Sequence, residues 1–182
     1  VANTTSSSAI VAALLDRKPE DVTDGGSGLS EPDLRHKIEV IRKGLAFHTR
    51  RDPLDVLSAF GGFEHGAIVG GILEAYTTEK PILLDGFVVG AAALVAAMID
   101  PNVKQNFIFA HRSGMKGSGI LLEALGCTKP ILDFGMYLGE GTGALTAWPI
   151  VRQASHILWE MSEFEQAEVT DSTAILRSKG LL

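Results

Sequence analysis

The sequence predicts an α/β fold: a parallel sheet in a Rossmann-like layered domain, followed by a C-terminal helical segment. Three observations carry this. Short apolar runs at residues 81–85, 106–110 and 130–133 have the length of strands and end in polar residues or a turn. Each run leads into a turn and then a helical pattern, and strands that alternate with helices pair in parallel, with helices on both faces. Finally, Asp85, His111, Arg112, Asp133 and Glu140 fall at or just after the carboxyl ends of the runs. Sheets of this kind bind ligands beyond that edge.

Taken in order, the chain opens with Asn3, Thr4, Thr5, Ser6, Ser7 and Ser8 ahead of an apolar stretch at 9–15, which reads as a capped helix. Capping needs one such residue. The excess, at the positive end of a helix, predicts an anion site. Residues 21–28 form a turn-rich loop, in which Gly25, Gly26, Ser27 and Gly28 either wrap a phosphate or simply turn the chain. Leu34, Ile38, Ile41 and Leu45 recur at helical spacing over residues 31–47. Lys37 borders that stripe, as a snorkelling surface lysine or as a phosphate ligand. Asp52 caps a short helix with Pro53 in its first turn. The next helix spans about 61–76, and Gly62, Gly66 and Gly70 give it a smooth face. Each glycine there costs about 1 kcal/mol against alanine, so close approach by another helix or a subunit is expected in compensation.

Helices follow the three runs at about 87–98, at 117–125 and from 142. A tail helix is expected over 151–169 with Ile157, Met161 and Phe164 on one stripe, and 171–182 reads as either a short helical extension or a loose end. The division is residues 1–150, part of a large α/β domain, and 151–182, a helical segment of a smaller one. Three strands are few for such a sheet, and the chain begins at Val1 without an initiator methionine, so further strands are expected upstream.

Composition narrows the function classes. The chain has 182 residues, a net charge of −6 and 16 dispersed Lys and Arg, with no basic stripe of the kind nucleic acids need. No apolar run approaches the roughly 18 residues of a membrane span. One cysteine, Cys127, excludes an internal disulfide and a multi-cysteine metal cage, and with no targeting pattern the cytoplasm is the default.

The stretch at 133–144 carries the sharpest signal. Asp133 ends the third run, and Glu140 then stands between Gly139 and Gly141. Glycines on both sides let the backbone approach a ligand, and a carboxylate on such a turn is placed for acid or base work. The bland alternative is a helix-leading loop with a solvated acid. Asp85, His111, Asp133 and Glu140 are also suitable ligands for a hydrolytic metal, but no tight metal motif is present. The glycine spacing does not match a dinucleotide fingerprint.

Asn3-Thr-Thr, Gly61-Gly-Phe-Glu64, Leu84-Asp-Gly-Phe87, Leu138-Gly-Glu-Gly-Thr-Gly143 and Glu160-Met-Ser-Glu-Phe164 together resemble the nicotinate-nucleotide–dimethylbenzimidazole phosphoribosyltransferase family, in order and in register over nearly the whole chain. The resemblance implies displacement of nicotinate from nicotinate mononucleotide by a benzimidazole-type base, in assembly of the lower ligand of vitamin B12. It implies no cofactor and no metal, small-molecule substrates and a homodimer. Glu140 then corresponds to the family's general base. Burial against Leu138 would strengthen it in that role. Asn3, Thr4, Gly26, Ser27, Gly28, Lys37, Leu138 and Gly139 correspond to substrate-binding positions, with Lys37 near the phosphate. Two departures stand out. The family's glycine loop carries an arginine where this chain has Asp24 and Gly25, and a second acidic residue of the family's site would lie before Asn3. A non-catalytic partner subunit of the same fold is the competing reading.

Overall fold

A computed structural model describes residues 3–26, 28–162 and 172–181, in two compact units, Val1–Trp148 and Pro149–Leu182. The first unit is built around two buried helices. One is α1 (Asn3–Leu14), whose residues Ser7 to Ala13 are buried. The polar stretch read as preceding this helix lies inside its first two turns. Ser7 Oγ donates to Asn3 O at 2.8 Å and Ser8 Oγ donates to Val22 O at 2.9 Å, so hydroxyls that looked surplus are satisfied within the core.

Around α1 stand α2 (Pro19–Val22), α3 (Glu31–Phe47) and α4 (Pro53–Phe60). Helix α3 has the bounds its apolar spacing predicts, with Ser30 accepting from Asp33 N and Ile41 buried. Asp52 caps α4, its carboxylate accepting from Leu54 N at 3.0 Å. Helix α5 (Phe63–Thr77) follows, and its glycines Gly66, Gly70 and Gly71 face open space among the described residues.

The sheet is small. Strand β1 (Ile82–Leu84) pairs in parallel with β2 (Phe107–Phe109), with Leu83 opposite Ile108. Between them run α6 (Phe87–Ile99) and a 3-10 turn (Pro101–Asn106). Helix α6 is rich in alanine and buried on nearly every side, the second helix at the heart of the main apolar cluster. The third expected strand is reduced to a parallel bridge between His111 and Leu132. Pro130 has no N–H to donate at its start, and the chain turns away past Asp133, so only Ile131 N and Leu132 N reach the carbonyls of Phe109 and Ala110, each at 2.9 Å.

Helix α7 (Ser118–Leu125) packs on α6 and ends on Gly126. Helix α8 (Thr142–Glu160) contains Pro149, so the separate tail helix expected over 151–169 is instead the continuation of the helix that starts at Thr142, and it stops at Glu160. Phe164 lies outside the described residues. The second unit comprises α8 from Pro149 onward and α9 (Ser172–Ser178).

Candidate active site

Glu140 is one of the few non-glycine residues with a left-handed backbone, φ +62°, and Gly141 continues the turn at φ +80°. An L residue with a Cβ holds this conformation at a cost of about 1–2 kcal/mol, so the surroundings must impose it. They do so from both sides. Upstream, Gly114 N donates to Met136 O at 2.8 Å, and the Tyr137 ring lies so close on Gly114 that a Cβ there would sit 2.5 Å from it. Downstream, Thr142 donates to Gly139 O through both its N–H, at 3.2 Å, and its Oγ1, at 2.7 Å. The first turn of α8 is then anchored by Asp85, whose Oδ1 accepts from Ala144 N at 2.9 Å. The Glu140 side chain is exposed, and Leu138 beside it is 63% exposed. The shielding expected from Leu138 is absent because residues 137–140 project away from the core.

The second cluster gathers on α1. Lys37, from α3, donates to Thr4 Oγ1 at 3.1 Å and to Asp24 O at 3.3 Å. Its ammonium therefore turns inward, to the first turn of α1, rather than snorkelling outward. Burial pulls its pKa below the ordinary lysine value, and the Asp24 charge opposes that pull. Gly26 has φ +55° and donates its N–H to Asp24 Oδ1 at 2.8 Å. Gly28 is exposed on the same loop, and Ser27 lies outside the described residues. A lysine at the first turn of a helix favours an anion.

Sequence reasoning overlooked Asp24, the residue that joins the clusters. Its Oδ2 accepts from Lys116 N at 2.6 Å, so the glycine loop is tied to the segment 111–117, which in turn holds the Glu140 turn through Gly114. From the sequence, the aspartate at the family's arginine position counts only as lost positive charge. His65, which the sequence reads as a structural or interfacial residue, is fully buried against α1. Gly62 N donates to His65 Nδ1 at 3.2 Å, which puts the ring proton on Nε2, 3.0 Å from Ser7 Oγ. Burial lowers the His65 pKa, and the Glu64 carboxylate, 3.3 Å from Nδ1, only partly offsets it.

Asp85 and His111 both meet the first turn of α8, but they do not gather with Asp133 and Glu140 into one cluster. Asp133 pairs with Arg112 at 3.4 Å on the surface, and no group of three potential metal ligands forms among the described residues.

A parallel sheet whose carboxyl edge leads into a left-handed carboxylate turn, with a lysine of α3 bonded to the first turn of α1, defines an α/β protein. A phosphoribosyltransferase family model matches residues 1–169, and the chain belongs to that family. Over 170 residues it is 44% identical to the nicotinate-nucleotide–dimethylbenzimidazole phosphoribosyltransferase of Vibrio atlanticus, covering 93% of this chain and 49% of that one. The protein of that name from Desulforudis audaxviator is 45% identical over 174 residues, with 94% and 49% covered. The crystal structure of CobT from Thermus thermophilus superimposes with a TM-score of 0.88 at 41% identity, over 94% of this chain and 51% of the other. The chain thus spans about half the length of the curated relatives it matches.

Proposed function

We propose that this chain carries the general base and the phosphate-binding side of a transferase that moves the phosphoribosyl group from nicotinate mononucleotide to 5,6-dimethylbenzimidazole or a related base. The products are α-ribazole 5′-phosphate and nicotinate, in the nucleotide-loop stage of cobalamin biosynthesis. The observation that carries this reading is the imposed left-handed backbone of Glu140 at the carboxyl edge of the sheet, in a chain of this family.

The chemistry asks little beyond position and one proton acceptor. A ring nitrogen of the acceptor attacks C1′ from the face opposite the pyridinium, and a new N–C1′ bond forms as the old one breaks. The released electron pair neutralises the pyridinium, and the configuration inverts. The second ring nitrogen of the acceptor loses its proton, which the Glu140 carboxylate takes. Under the proposal Lys37 meets the phosphate, Asn3 and Thr4 bind the nucleotide, Gly26, Ser27 and Gly28 lie near the phosphoribosyl group, and Leu138 and Gly139 bind substrate. In this reading the parallel pair belongs to a Rossmann-like layered catalytic domain, residues 151–182 belong to the smaller helical one, and the protein works as a cytoplasmic homodimer. The open glycine face of α5 supports the pairing.

The test uses the protein expressed from its complete reading frame. Glu140→Gln should lower acceptor-dependent nicotinate release by at least about 100-fold with an unchanged circular dichroism spectrum. Wild-type turnover in that variant would remove Glu140 from the role of base.

A further inference from the structure

We propose that Asp85 and His111 are positioning residues for Glu140, acting together as a seat for the first turn of α8. The proposal rests on the reading of Glu140 as the base. Asp85 follows β1 and His111 follows β2; they are 7% and 2% exposed, too buried to meet a substrate themselves. Asp85 grips the turn by hydrogen bonding, its Oδ1 accepting from Ala144 N at 2.9 Å, where a carboxylate also complements the positive end of the helix.

His111 holds the turn by shape. A Cβ built on Gly143 would lie 2.0 Å from Nδ1, 2.4 Å from Cε1 and 2.7 Å from Cγ, and all three atoms belong to the His111 ring. On Gly86, the residue after Asp85, a Cβ would lie 3.1 Å from Cε1 of the same ring. The imidazole is therefore wedged between the end of the first strand and the second residue of α8. Neither ring nitrogen has a hydrogen-bond partner among the described residues, so packing rather than bonding fixes the ring. The ring also lines a small cavity of about 20 Å³ whose walls are mostly apolar, among them Leu84, Phe87, Phe109 and Leu121. Gly143 is three residues from Glu140, and Thr142 between them is bonded twice to Gly139 O. A shift of the seated turn is thus passed to the carboxylate, and a displacement of about 1 Å at a reacting group can cost on the order of 100-fold in rate.

The wedge predicts compensation. In the complete protein, His111→Ala should lower kcat about 10- to 100-fold while KM for nicotinate mononucleotide stays within about threefold. Gly143→Ala should be at least as damaging. The double variant should regain at least about tenfold over Gly143→Ala alone, because removing the ring removes the three nearest atoms the new methyl meets. Losses that simply multiply, or an unaffected His111→Ala, would overturn the wedge. For the grip, Asp85→Ala should strip the Ala144 amide of its protection from hydrogen exchange, whereas Asp85→Asn, which keeps an acceptor oxygen, should retain it. Equal protection in both variants refutes the grip. Exchange does not depend on turnover, so full activity in Glu140→Gln would sink the base assignment while leaving the seat to be judged by this measurement.

Discussion

At the scale of single residues, the proposed base stands out by what it costs the fold. Glu140 holds a conformation that a glycine would hold freely, and its carboxylate faces solvent, so the strain gives nothing back in packing. Glu140→Gly should therefore relieve about 1–2 kcal/mol of backbone strain, offset by about 0.5–1 kcal/mol for a looser unfolded chain. Denaturant titration should show stability unchanged or slightly raised, alongside loss of turnover. A loss above about 1 kcal/mol would mean that the side chain has a structural role instead. His65 makes the opposite trade. Its folded pKa lies below the usual 6.5, so in the window between the two values the unfolded chain binds a proton that the folded chain does not. Its contribution to stability is complete above 6.5 and is lost as pH falls towards the lowered folded value. Denaturation midpoints measured from about pH 7.5 down to about pH 5 should fall more steeply in wild type than in His65→Gln; equal slopes would contradict the assignment.

At the scale of elements, what was legible in the sequence had a local cause. Helix α3 begins and ends where predicted because Ser30 caps it and its apolar stripe is regular, and α4 starts where Asp52 and Pro53 announce it. Elements shaped by distant partners were misread. The start of α1 was hidden because Ser7 and Ser8 take their partners from His65 and Val22, far along the chain. The third strand shrank to a bridge for want of a donor at Pro130. Likewise the turn at Glu140 was legible from its glycines, while the contacts that Asp24, Asp85 and His111 make around it follow no sequence spacing. Glycines separate the two cases experimentally. A Cβ on Gly117 would lie 3.0 Å from the Val22 backbone and 2.9 Å from the Phe87 ring, where neither can yield cheaply. One on Gly119, within α7, would meet nothing within 4 Å. Gly117→Ala should destabilise by about 1–3 kcal/mol, and Gly119→Ala should stabilise by up to about 1 kcal/mol. The reverse order in thermal unfolding would show that the α2–α7 contact is misjudged.

At the scale of the whole molecule, the main apolar cluster gathers around α1 and α6, while α5 carries a liability. Gly66, Gly70 and Gly71 weaken a helix whose outer face meets nothing among the described residues, and Phe63 at its start is fully exposed. For the isolated helix, alanine at these positions is an improvement of up to about 1 kcal/mol each. A sequence that forgoes the improvement three times is consistent with a backbone that must be approached closely, which is the role a homodimer contact would give it. The two demands pull apart in one variant. Gly66→Ala/Gly70→Ala should raise the unfolding midpoint of the 182-residue chain at low concentration, while in the complete protein it should weaken self-association in sedimentation equilibrium by roughly tenfold or more, since two methyls would hold the partner helix off. Unchanged association would place the subunit contact elsewhere and leave the glycines of α5 without a partner. Weakened association together with a lowered midpoint would instead mean that the helix itself is disturbed, and the interface reading would lose its support.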